Sequence, residues 1–561
     1  MRVRVLLIAL VLALCAGGCT AFSDEAEPER REPRRAVSAS APDHRLTMIA
    51  DADPVAAAAT MSRTLFDRSP VVVVARDGDR AGLLLAASAA VGLGVPLLLE
   101  PKGDGAHDVL AEEIGRLGSG TVLAVGEADG RAADRATGAS DGRAGHDVLA
   151  VPADAGAVAA ATGLDFQPAE PVTSRNDPAS VAALDPAAPV ALRLPEAPAS
   201  SSADADAARL PGVDRAEPLT GTVVLATGES ASTAALATAR AAGATVSLTS
   251  GEADPRRSED ALDALAEAAP EAVVAIGAGF AAEDGLDWKV ETAVKGMQLP
   301  GGGQVLFPGR LLVALYGHPG TGALGVLGEQ DLEGSIERAR AHAAPYETLV
   351  EGPVVPAFEI IATVASTAPG ADGDYSTEAD VEQLRPWVEA AGEAGVYVVL
   401  DLQPGRTDFL TQAQRYQALL ELPHVGLALD PEWRLSPNGV HLREVGSVGV
   451  DEVNRLIGWL ADLTREHVLP QKLLVLHQFQ LRMIDGRERL DTSRDELAVM
   501  VHADGQGSQG DKQATWRALH ANPPAGLFWG WKNFYDEDKP MLTPEQTMAD
   551  VSPRPDLISY Q

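Results

Sequence analysis

The sequence predicts an α/β protein in two parts, with layered parallel-sheet α/β repeats in the N-terminal half and a (β/α)8-like barrel in the C-terminal half. Two stretches, residues 71–126 and 222–277, run through the same order of apolar strand and Ala/Leu-rich helix. Their strands are apolar throughout, which argues parallel sheets covered on both faces. From about residue 308 seven further strand candidates alternate with helical stretches and end in charged or aromatic residues, the texture of a barrel with a polar mouth.

Residues 1–18 read as a signal peptide. Arg2 and Arg4 precede an apolar stretch from Val5 to Leu14, and Ala16, Gly17 and Gly18 lead to Cys19. The apolar run is too short to span a bilayer. The Ala16-Gly17-Gly18-Cys19 step resembles the lipobox of bacterial lipoproteins, which implies acylation of Cys19 and a lipid anchor in the bilayer at the outer, extracytoplasmic face of the membrane. Ser23 to Asp43, rich in Glu, Arg, Pro, Ala and Ser, reads as a tether, so residues 19–45 are expected to link the lipid to the first folded part. Cys15 and Cys19 are the only cysteines, and Cys15 leaves with the signal peptide. Folding of the mature chain therefore rests on buried apolar surface. The net charge of -35, from 80 acidic against 45 basic side chains, repels polyanions and argues against nucleic acid as a partner.

Residues 46–300 form the expected repeat region. The first copy has strands at Val71–Ala75, Val95–Leu99 and Thr121–Val125, with helices between them, one through Leu110–Leu117. Val71 to Gly126 and Val223 to Gly277 span 55 and 54 positions, which points to an internal duplication. GHDVLAVPADAGAVAAATG and PVALRLP are candidates for further strands. The apolar strand, the Ala/Leu helix, GVPLLLE at Gly94–Glu100 and TVLAVG at Thr121–Gly126 resemble the cell-wall-binding repeat of type 2 found in exported Gram-positive proteins. The resemblance implies non-covalent attachment to a cell-wall polymer. The chain departs from that pattern at Asp77-Gly78-Asp79-Arg80 and in the proline-free GATVSLT of the second copy. Neither ARDGDRAG nor ATGES fits a dinucleotide or P-loop motif, so no cofactor is read from them.

Residues 301–561 form the expected barrel. Its strand candidates are LLVALYGHPG, VVPAFEIIATVAS, VYVVLDLQPG, VGLALDPEW, KLLVLHQFQ, LAVMVHADG and AGLFWGWKNFYDED. The eighth is either GQVLFP before Leu311 or the terminal DLISY. One intervening helix is clear, with Val453, Leu456, Ile457, Leu460 and Leu463 on one face. A long open doubly wound sheet is the competing fold. In a barrel, His318, Glu359, Asp401, Asp430, Glu432, His477, His502, Asp504, Trp529, Trp531, Lys532 and Asp536 would gather at the C-terminal mouth.

In LALDPEW, Asp430 and Glu432 share a strand face and Asp401 ends the preceding strand. Crowded carboxylates raise at least one pKa, as a general acid requires. Glu432-Trp433, with Trp529 and Trp531, resembles the mouth of glycoside hydrolase barrels, where indoles stack on sugars and acid and partner carboxylate sit on the fourth and seventh strands. That resemblance implies Glu432 as acid/base and Asp536, or its neighbour Glu537, as nucleophile or base. Asp430 and Asp401 would tune them, and Trp433, Trp529, Trp531, Lys532, His318 and His502 would contact a wall or extracellular glycan. A metal-dependent hydrolase is the alternative, with His477, His502 and Asp504 as ligands, although the first strand lacks His-x-His. A barrel that binds glycan without turning it over is the third reading.

Overall fold

The computed structural model describes residues 35–103, 107–130, 146–174, 176–196 and 208–561. Residues 1–18, the expected signal peptide, and Cys19 lie outside the described residues. Among the described residues no helix is long and apolar enough to cross a membrane.

The N-terminal half holds two four-stranded parallel sheets. The first runs Leu97–Glu100, Val71–Arg76, Thr121–Val125, Asp147–Val151, so DVLAV of the intervening segment completes it. PVALRLP contributes only an isolated bridge between Val190 and Gln167. The second sheet runs Thr245–Leu248, Thr222–Ala226, Ala272–Ile276, Leu46–Ile49. Val71 pairs with Thr121 as Thr222 pairs with Ala272, so the duplication seen in the sequence is a duplication of register. The fourth strand of the second sheet comes from ahead of both copies. One apolar core unites the two sheets. Helix Thr233–Ala241 of the second copy reaches the first through Thr238, whose hydroxyl accepts from Leu97 N and donates to Leu97 O, both at 3.0 Å.

Residues 35–39, within the expected tether, are paired with the folded part. Arg35–Ala36 pairs with Val213–Asp214, and Ser38–Ala39 pairs with Phe66–Arg68. Hydroxyls of Ser38 and Ser40 donate to the Asp67 carboxylate at 3.1 and 2.9 Å and Val37 enters the apolar core, so a polar, proline-containing stretch is held by backbone pairing, local hydrogen bonds and one buried side chain.

The C-terminal half is a closed barrel of eight parallel strands: β1 (Leu311–Gly317), β2 (Val354–Ala365), β3 (Tyr397–Leu402), β4 (Val425–Leu429), β5 (Lys472–Gln478), β6 (Leu497–Ala503), β7 (Phe528–Asn533) and β8 (Leu557–Tyr560). The strand β1 pairs with both β2 and β8, which closes the ring, excludes the open sheet and makes DLISY the eighth strand. An antiparallel strand, Ser376–Glu378, is added to the long end of β2. Alternation divides each strand. Leu312, Ala314, Ala357, Val399, Ala428, Val475 and Met500 fill the interior, whose floor is sealed by Leu299, Leu306 and Phe307. Their alternates, such as Val313, Phe358, Leu400 and Leu474, pack against the outer helices. Lys289 ties the halves together, donating to Asp495 at 2.5 Å, and Arg465 lies over Trp288 at 5.5 Å.

Candidate functional site

Following the inward positions up each strand, apolar side chains give way to polar ones at one level. Above Ala314 comes Tyr316; above Ala357, Glu359; above Val399, Asp401; above Val475, His477; above Met500, His502; above Phe528 and Gly530, Lys532. Asp430 leaves the end of β4, Asp504 the end of β6, and Ser559 lies in β8. A polar top layer over an apolar barrel interior puts chemistry at the C-terminal mouth.

The centre of this layer is His477. Its Nε2 lies 2.7 Å from Glu359 Oε1 and 3.9 Å from Asp401 Oδ1, and its Nδ1 lies 3.0 Å from Asp504 Oδ2. Lys532 Nζ pairs with the other oxygen of Asp504 at 3.1 Å and sits 3.7 Å from the centre of the Tyr316 ring. Tyr316 in turn donates to Asp401 Oδ2 at 2.8 Å, and Gln403 Nε2 donates to the Tyr316 hydroxyl at 3.3 Å. His502 lies beside His477, ring centres 4.9 Å apart, with Nε2 3.1 Å from Ser559 Oγ and Nδ1 3.9 Å from Glu359 Oε1. Glu359, Asp401, His477 and His502 are all fully buried.

Burial opposes every charge here, and the neighbours decide the outcome. His477 is held well above the ordinary imidazole value because Glu359 and Asp504 outweigh its desolvation. Asp504 stays ionised, since Lys532 and His477 more than offset its burial, and Glu359 is likewise lowered by His477. Burial, reinforced by the charge of Glu359, raises Asp401 to about 6. Burial, aided by the charges of His477 and Lys532, takes His502 down to about 3 and keeps it neutral.

A mixed polar and apolar cavity of about 610 Å³ opens above this layer. Asp430, Glu432, Trp433, Asp504 and Lys532 line it, with Tyr316 and Gln403 at its base. Asp430 is buried and its carboxyl raised well above the usual range by burial and by Asp401 and Asp504. Its Oδ1 accepts from Glu432 N at 3.1 Å and fixes the short turn that presents Glu432. Burial, then Asp504, raises Glu432 to about 6.

Several expected residues stand elsewhere. Trp529 and Trp531 point away from the mouth, into a cluster with Trp516, Leu519 and Val551 outside the barrel, because Gly530 and Lys532 take the inward positions of β7. Asp536 is exposed in the turn after β7 and does not line the cavity, whereas Glu537 does. His318 accepts from Gly320 N at 2.9 Å in its own turn, away from the cavity. His502 lies in the floor, out of direct reach of a ligand in the cavity. Of the residues read as metal ligands, His477 and His502 come together with Glu359, their donor atoms all within 4.8 Å of one another, while Asp504 sits behind His477 on its other nitrogen. Tyr316, Gln403 and Ser559 escaped the sequence reading; as inward residues at strand ends, they were open to the same alternation argument as Glu359.

No protein-family model matches the chain, and no curated protein matches it. Among solved structures, Cwp6 from Clostridium difficile is similar at 13% identity and a TM-score of 0.30, over 64% of this chain. The chain spans 63% of the length of that structure.

Proposed function

We propose that the barrel is a metal-assisted hydrolase acting outside the membrane on a polymer of the cell envelope. Glu359, His477 and His502 would be the ligands, Asp401 the nearest further donor, and Glu432 the general acid on the cavity wall. The observation that carries this reading is how the donors are held. His477, His502 and Asp401 each have one polar atom tied outward, to Asp504, Ser559 and Tyr316, and the other turned toward the cluster. Glu359 Oε2, Asp401 Oδ1 and His502 Nδ1 have no hydrogen-bond partner among the described residues. Ligands oriented from behind by a second group are the usual construction of a metal site, and buried polar atoms without partners are otherwise costly; His477 Nε2, now bonded to Glu359 Oε1, would exchange that bond for the ion.

Two imidazoles with carboxylate suit zinc or a similar divalent ion, which when bound supplies a Lewis acid and an activated water. The protein's own part is to fix the tautomer of His477 through Asp504, balance Asp504 with Lys532, and deliver a proton from Glu432 to the leaving group. Sugar hydrolysis by carboxylates alone is a second reading, favoured by Glu432, raised to about 6, sharing its cavity with ionised Asp504. Titration of the full chain with zinc, followed by metal analysis, separates the two. Metal-assisted hydrolysis requires one ion per chain, lost in H477A and H502A, and turnover of envelope polymers that stops on chelation. Turnover without metal would favour the carboxylate reading, and binding without turnover a non-catalytic barrel.

The same reading places the protein on a lipid anchor at Cys19, with the duplicated region spacing it from, or holding it to, the wall. Replacing Cys19 with Ala should release the chain into the medium, and the full chain should pellet with purified wall.

A further inference from the structure

Glu432 and Trp433 line two cavities at once. On their far side from the barrel mouth lies a groove of about 280 Å³, completed by Leu442, Arg443, Glu444 and Val445. We infer that this groove is a second subsite, and that the substrate is a linear oligosaccharide lying across the Glu432–Trp433 ridge with sugar units on both sides. This rests on the hydrolase reading above, and it adds that cleavage occurs within a chain, since units extend past the acid in both directions.

The loop that builds the groove is held firmly. Leu435 N donates to Gly405 O at 2.6 Å, Arg406 to Gly439 O at 2.9 Å, and Gly446 N to Glu432 O at 2.7 Å. Buried His441 packs on the Trp433 ring at 5.4 Å, with Nε2 2.9 Å from Tyr375 O. A Cβ on Gly446 would come within 2.6 Å of the carbonyl oxygens of Pro431 and Glu432, so the loop returns directly against the backbone that carries the acid. What this scaffold displays is a leucine 80% exposed and at φ 65°, a left-handed conformation that a branched side chain rarely adopts. Strain held by surrounding structure, spent on exposing an apolar side chain beside the acid, marks a contact surface. An indole and a leucine supply flat apolar area for sugar C–H faces, and Arg443, Glu444 and Glu432 supply donors and acceptors for hydroxyls.

The test uses the metal-loaded full chain and β-1,4-linked N-acetylglucosamine oligomers from the disaccharide to the hexasaccharide, with binding followed calorimetrically. Affinity should rise with length until both grooves are filled and then level off. The double variant L442S/R443A should lose that gain, binding the longest oligomer about tenfold more weakly while keeping disaccharide affinity, metal content and melting temperature. Equal binding of all lengths by the wild type, equal loss at every length in the variant, or no binding of any oligomer overturns the proposal. Failure of the hydrolase reading shows separately, as absent metal.

Discussion

His502 Nε2 lies 3.1 Å from the hydroxyl of Ser559, a residue of the strand that closes the barrel. That contact turns Nδ1 toward Glu359, so the last strand orients a ligand held on β6. S559A should leave the fold intact and weaken zinc binding about 10- to 100-fold, the usual cost of removing a group behind a metal-bound imidazole. Competition against a chromogenic chelator measures it, and unchanged affinity would remove Ser559 from the site.

His477 stands between two ionised carboxylates. H477A strands Glu359 and Asp504 in a buried layer and should cost about 3–5 kcal/mol of stability in urea unfolding at neutral pH. A loss below about 1 kcal/mol would show that water replaces the imidazole without penalty.

Glu432 has a folded pKa of about 6 against an ordinary 4.5, so it gives up stability as pH rises through 6, and that stability is fully present only below 4.5. E432Q should therefore be more stable to unfolding than the wild type above pH 6, by up to about 2 kcal/mol, and equally stable at pH 4. Turnover should fall as pH climbs past 6, when the acid loses its proton, and E432Q should lower it by more than about tenfold. A variant that keeps both the rate and the alkaline limb would take Glu432 out of the chemistry.

The indoles divide by where their strands point them. W531A opens the packed cluster outside the barrel and should cost about 3–5 kcal/mol without changing ligand affinity. W433A should weaken ligand binding with little change in melting temperature. The reverse pattern would return Trp531 to the mouth.

That division was legible in the chain. Alternation alone forbids Trp531 and Lys532 from sharing a face of β7, and choosing Lys532 for the interior sends Trp529 and Trp531 outward. The closed barrel and the duplicated sheets followed from apolar runs at regular spacing, because such strands must be buried on both faces. His477 and His502 were readable as neighbours from successive strand ends, and they pair directly in the register. Glu359 as their companion was not, since its meeting with His477 depends on the width and closure of the barrel and not on order along the chain. Leu46–Ile49 was also missed: a short strand in a polar stretch gains its place from a partner more than two hundred residues away.

That distant pairing sets an order of assembly. Chains fold as they emerge, N-terminal segments first, yet Leu46–Ile49 cannot find its neighbour until Ala272–Ile276 has been made. The first sheet can close on itself while the segment in front of it waits. The pairing of Leu46–Ile49 therefore comes only after both copies have been synthesised, although Ser38–Ala39 just ahead of it can already meet Phe66–Arg68. A pull on the N-terminal end is therefore borne first by the short pairings of Arg35–Ala36 with Val213–Asp214 and of Ser38–Ala39 with Phe66–Arg68, and only then by the second sheet.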